Sequence, residues 1–259
     1  MNLKILSQGI AREEIIERYR LNPAFRKATR AMMLACASIE AAFESEPLKT
    51  LLLKSPETFA LVLGSAFGEL ETTKDFLKTL ADTGMARPML FQNSLHNSTS
   101  GFVSIHFKFT GPVLTMSHGL FVAEHAFETA NLMLKQNHCD YCVITTVDTF
   151  LHELTGAERN SSAEKSGKIE TATTFVLTTT ERCEKMGLKA LGTLEDVRCH
   201  RTLESTKPSY SSLFFAGQNT LEVFRDKLLN AKSAAGPTSV KLKIEKPGTC
   251  YSVLTWGRS

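Results

Sequence analysis

Apolar positions recur along this chain at two spacings, one that suits helices and one that suits buried strands. A helical period predicts a short amphipathic helix over 12–20 and a longer one over 24–44, where Ala28, Met32, Ala35, Ile39 and Phe43 fall on one face. Pro47 marks its end. In "TFALVLGSAFGE" the apolar residues run on without a polar break, which predicts a strand covered on both sides, as in a parallel or mixed sheet. Residues 69–83 return to the helical period and close at Gly84. "RPMLFQNSLHNSTSG" reads as a polar loop, and "FVSIHFKF" fits strand or helix. A strand over 112–116, a small-residue elbow at Ser117 and Gly119, and a helix over 120–136 follow, with His125 and Phe127 as candidates for burial.

"YCVITTVDTF" and "TATTFVLTTTE" predict two further strands, separated by a polar surface loop over 155–168. "RCEKMG" reads as a helical turn and "LKALGTLEDVR" as a strand. After a second loop, "CHRTLESTKPSYSS", come a helix in "NTLEVFRDKLLNAK" and a hairpin made of "SVKLKIEK" and "TCYSVLTW". Strands alternating with helices imply an α/β protein, a mixed sheet packed between helices. No internal repeat or dividing linker interrupts the chain, so residues 1–259 are expected to form a single domain.

Composition narrows the function. The net charge of +3 is the difference between 30 basic and 27 acidic residues, with no long run of one sign, so nucleic acid is not an indicated partner. No apolar run reaches the roughly 18 residues of a membrane span, and the N-terminus lacks a signal-peptide pattern, so a cytoplasmic location is expected. Six scattered cysteines fit reduced, buried thiols. Cys139 and Cys142 form a C-x-x-C, but no second pair or H-x-x-H follows at ligand spacing, and the pair opens a strand. A structural role is the stronger reading, and no metal or cofactor is expected.

The elbow is where chemistry is to be sought, since a helix N-terminus there stabilises developing negative charge. Ser117 and His118 suggest a hydrolase or acyltransferase with Asp140 or Asp148 as a third member. Immediate neighbours at a strand end point in opposite directions, however, and no Gly-x-Ser-x-Gly is present. His118 could also serve as a donor in a pocket, while His96, with Asn93 and Asn97, is expected to organise its loop.

Four stretches in order carry a resemblance. "GPVLTMSHGLFVAEHAFETANLMLKQNHCDYCVITTVD", "LVLGSAFGE", "FQNSLHNSTSGFVSIHF" and "GKIETATTFVLTTTERCEKMGLKALGTL" together resemble the N-terminal half of the β-ketoacyl synthases, condensing enzymes of the thiolase superfamily. The likeness runs over 24–198 and implies a half-thiolase-like fold. Gly111 and Pro112 open the motif, Ser117 matches the family serine, Asp140 its aspartate and Glu170 its glutamate, with Asp148 at the polar end of the next strand. Thr171 and Thr173 stand at family glycines.

The departures decide what the resemblance implies. The family's nucleophilic cysteine falls on Leu120, whose hydrocarbon side chain cannot attack a thioester, and nothing after residue 198 resembles the segment with the catalytic histidines. The resemblance therefore implies no catalytic residue and a chain-length-factor-like subunit of type II fatty acid or polyketide, including polyene, biosynthesis. It would stabilise and shape an active ketosynthase. Val113, Leu114, Thr115 and Met116 would form the dimer interface, and Phe121 and Phe127 would line or fill the acyl tunnel. The implied partners are a full-length ketosynthase or a second copy of this chain, and an acyl carrier protein. A homodimeric acyl-chain binding protein is the remaining alternative.

Overall fold

The computed structural model describes residues 1–149, 170–200, 216–231, 239–246 and 250–257. Its centre is an eight-stranded mixed sheet: β1 (Leu3–Arg12), β2 (Phe59–Ser65), β3 (Val113–Ser117), β4 (Tyr141–Asp148), β5 (Thr171–Thr179), β6 (Gly192–His200), β7 (Ser239–Lys246) and β8 (Cys250–Gly257). The spatial order is β3-β2-β4-β5-β1-β6-β8-β7. β2 runs parallel to β3 and β4, and the remaining pairs are antiparallel. The fold is thus the α/β, mixed-sheet architecture that the alternation predicts.

Nine helices among the described residues flank the sheet: α1 (Ile16–Arg20), α2 (Arg30–Ala42), α3 (Glu46–Lys54), α4 (Leu70–Thr83), α5 (Pro88–Asn93), α6 (Ser98–Phe107), α7 (Val122–Lys135), α8 (Thr180–Lys185) and α9 (Ala216–Ala231). Every residue of β2 and β4 is buried, as the unbroken apolar runs require. Alternate side chains serve opposite faces. Leu61, Leu63, Val143 and Val176 meet Leu34, Ala35 and Ile39 of α2, while Ala60, Val62, Ile144 and Phe175 meet Ala126, Phe127 and Ala130 of α7 and Phe224 of α9.

Several boundaries differ from the sequence reading. Residues 3–12 form a strand inserted between β5 and β6, although no strand is expected there. A register shift between Ile5 and Ser7 breaks its period of two and hides the pattern. The helix expected over 12–20 shrinks to a 3-10 turn and α1. The one expected over 24–44 starts at Arg30, where the Thr29 hydroxyl accepts from the Met32 amide at 3.2 Å. Pro47 does not end a helix; it sits in the first turn of α3, where a missing N–H costs nothing. The polar segment 87–101 carries α5 and the start of α6, and "FVSIHFKF" resolves as helix. Gly84 closes α4 as expected. The loop expected over 155–168 lies outside the described residues.

β1 can sit under α2 only because of Gly9. A Cβ there would lie 2.5 Å from the Ala42 nitrogen and closer still to the Ser38 carbonyl oxygen, both backbone atoms that cannot rotate away. Gly9→Ala should therefore cost about 3 kcal/mol, the upper end for overpacking. That loss corresponds to a fall in Tm of roughly 6–12 °C for a chain of this size, measurable by thermal denaturation.

Candidate functional site

The C-terminal ends of the parallel strands β2, β3 and β4 converge on one end of the sheet, where ligand sites of open α/β sheets form. Each strand delivers a polar residue there: Ser65 from β2, Ser117 from β3 and Asp148 from β4. Asp148 is buried. Its carboxylate accepts from the Ser65 hydroxyl and from the Ala66 amide at 2.9 Å, so it fastens the turn that leaves β2. The Ser65 hydroxyl in turn accepts from the Gly68 amide at 2.7 Å. Burial pushes the Asp148 carboxyl up to about 6 against the pull of these donors.

Glu69 lies just beyond that turn and is equally enclosed. It accepts from Thr29 at 2.8 Å, from Thr72 at 3.1 Å and from Thr99, which ties the starts of α2, α4 and α6 to one carboxylate. Burial raises this carboxyl, and the three hydroxyls oppose the rise. Glu170 is fully buried and bound by the Arg30 guanidinium, whose Nε donates at 2.9 Å. Glu124 on α7 is buried and accepts from Thr220 of α9 at 3.2 Å. Glu69, Arg30 and Glu124 are absent from the sequence reading. A glutamate in "AFGEL" beside a doubly buried strand was the available signal for the first, but two of its threonine partners, Thr29 and Thr99, come from distant segments.

The elbow itself is a 3-10 turn, Gly119–Phe121, leading into α7. Gly119 adopts φ +50, a left-handed conformation that suits a residue without Cβ. Leu120 occupies the middle of this turn. Phe121 is buried, and Phe127 is enclosed between Phe175 and Phe224 at centroid distances of 6.1 and 5.8 Å.

Ser117 is exposed, and its hydroxyl donates to the Ala66 carbonyl at 3.2 Å. The His118 ring meets the His125 ring edge-on at 4.2 Å, and His125 Nδ1 lies 2.7 Å from Glu128. Among the described residues no hydrogen bond joins Ser117 to either histidine, so the elements of a serine–histidine dyad are near one another in sequence without being coupled. Asp140 is at the opposite end of β4, where it pairs with Arg182. His96 lies against Gly68, and Asn93 donates to the Lys27 carbonyl at 3.0 Å. No group of three or more His, Cys, Asp or Glu side chains among the described residues is placed to hold a metal ion.

The model of the beta-ketoacyl synthase N-terminal domain matches residues 49–221. The chain belongs to the beta-ketoacyl synthase family. Solved structures agree on the fold. A type II polyketide ketosynthase structure described as "AntDE:AntF (apo)", with an acyl-carrier protein, superposes with a TM-score of 0.75 at 11% identity, covering 100% of this chain and 99% of that one. The ishigamide ketosynthase/chain length factor gives 0.73 at 12%, with the same coverage. A ketosynthase (ApeO) in complex with its chain length factor (ApeC) from Xenorhabdus doucetiae gives 0.58 at 17% over the whole of both chains. No curated relative matches the sequence. The elbow before α7, with Leu120 in its 3-10 turn, lies within the matched residues.

The raised Asp148 carboxyl has a stability consequence. The folded state holds the proton more tightly than the unfolded chain, whose carboxyl lies near 3.8. The stabilisation is full below that value and is lost as pH rises through about 6, a change of about 3 kcal/mol. Asp148→Asn keeps an acceptor at Oδ1 and should abolish this slope. Denaturant midpoints of both proteins, compared across the interval from about pH 4 to 6, read the difference.

Proposed function

We propose that this chain is a non-catalytic, chain-length-factor-like ketosynthase homologue that pairs with a catalytic ketosynthase in type II fatty acid or polyketide assembly. The observation that carries the reading is the position of Leu120. We read the 3-10 turn that leads into α7, Gly119–Phe121, as the family's nucleophile turn, with Leu120 at its reactive position, a hydrocarbon side chain that can neither attack a thioester nor carry an acyl group.

The sheet supports a pairing role. β3 is one of the two terminal strands, hydrogen-bonded to β2 alone among the described strands, and its other edge offers backbone donors and acceptors to a further strand. Val113, Thr115 and Met116 are half-buried and Leu114 is 42% exposed, a surface apolar enough to bury against a partner. A ketosynthase is the proposed occupant and a second copy of this chain is the alternative. Phe121 and Phe127 are proposed to fill or bound the acyl tunnel of the pair. An acyl carrier protein would then meet the complex as a whole.

Co-expression with the ketosynthase encoded beside it should yield a stable complex. Leu114→Asp should weaken that complex by about 30-fold or more, the scale of losing an interface hot spot near 2 kcal/mol. The variant should keep the circular dichroism of the parent, because Leu114 is half-exposed in the single chain. A monomer that pairs with no ketosynthase encoded near it would sink the reading. Turnover of acyl thioesters by the purified chain, abolished by Ser117→Ala, would replace it with a cysteine-independent hydrolase or acyltransferase.

A further inference from the structure

The C-x-x-C at the start of β4 is unused by the partner reading and lies at the end of the sheet away from the elbow. Cys142 is buried inside β4, paired in register with Ala60 of β2. Cys139 precedes the strand and is 7% exposed. It lines a polar cavity of about 120 Å³ together with Asn137, Asp140, Glu181, Arg182 and Lys185, among others. That volume exceeds what one small polar molecule needs. The two thiols are side-chain neighbours three residues apart in sequence, and the Ala60 backbone lies beside Cys139. With Cys142 as its neighbour, the Cys139 thiol is held below the usual thiol range, while the same contact and full burial push Cys142 up. Arg182 completes the setting: one guanidinium nitrogen pairs with Asp140, and its buried Nε has no hydrogen-bond partner among the described residues.

We propose that Cys139 and Cys142 form a peroxide-responsive thiol pair, with Cys139 as the attacking sulfur and Cys142 as the resolving one. Hydrogen peroxide, small enough for the cavity, is the oxidant. The Cys139 thiolate attacks one peroxide oxygen, the O–O bond breaks, and the departing hydroxide takes a proton to leave as water. Cys139 is then a sulfenic acid. The Cys142 sulfur next attacks the Cys139 sulfur, its proton leaves with the sulfenic hydroxyl as a second water, and an S–S bond joins the pair. Two thiols are oxidised by two electrons and one peroxide is reduced to two waters. Cys36 and Cys183 are buried, and neither lines the cavity beside Cys139.

The full chain, reduced and then treated with hydrogen peroxide, tests this by tryptic mass spectrometry. Cys139 and Cys142 fall in one peptide, from Gln136 to Arg159. That peptide should lose two hydrogens, and should do so at least tenfold faster than Cys36 or Cys183 is modified. In Cys142→Ser the reaction should stop at a sulfenic acid on Cys139 that dimedone traps. Cys139→Ser should leave Cys142 unmodified over the same interval. A peptide that keeps its mass while Cys199, the half-exposed cysteine, is oxidised would overturn the proposal. So would oxidation of Cys139 in the parent chain that proceeds beyond sulfenic acid without forming the bridge. Because wild-type protein carries the primary readout, a variant that folds poorly leaves the outcome decisive.

Discussion

Two-sided burial of β2, β4 and β5 is the constraint on which the rest of the molecule depends. A strand with apolar side chains on both faces needs a layer of helix above and below it, and its backbone groups need a neighbour on each edge. α2 supplies one layer, and α7 with α9 supplies the other. β4 and β5 then secure each other through eight register pairs, and β1 is drawn in beside β5 to satisfy the next edge. β3 and β7 end the sheet, and β3 receives bonds from β2 alone among the described strands.

The same burial explains where carboxylates are found. Asp148, Glu69 and Glu170 are each enclosed, and an enclosed carboxylate must be met by donors to persist. Asp148 gathers the Ser65–Phe67 turn, Glu69 gathers three threonines, and Glu170 takes Arg30. These contacts join the loops at the elbow end to the helices, so the polar residues there hold the shape of that end. Ser117, tied to a backbone carbonyl, fits that pattern.

Much of this was legible from one sequence. The unbroken runs in "FALVLGS" and "YCVITTVD" specify doubly covered strands, and Gly84 specifies a helix end, because both depend on local side-chain chemistry. β1 was not legible, since one extra residue near Leu6 spoils the alternation and Gly9 reads as a weak point until α2 is seen to press on it. Pro47 was misleading for a related reason: proline stops a helix from inside but is tolerated in its first turn, and only neighbouring geometry says which applies.

By itself, the sequence determined the α/β layering, the elbow and the hydrocarbon residue that it carries. Side-chain chemistry is a property of one residue, so Leu120 offers no nucleophile wherever the chain folds. Tertiary structure alone decided that Ser117 is held by the Ala66 carbonyl, that Asp148 and Glu69 are fastening points, and that β3 lies at the sheet edge. Each of those depends on groups far apart in the chain being brought within hydrogen-bond distance, and no local pattern encodes such a meeting.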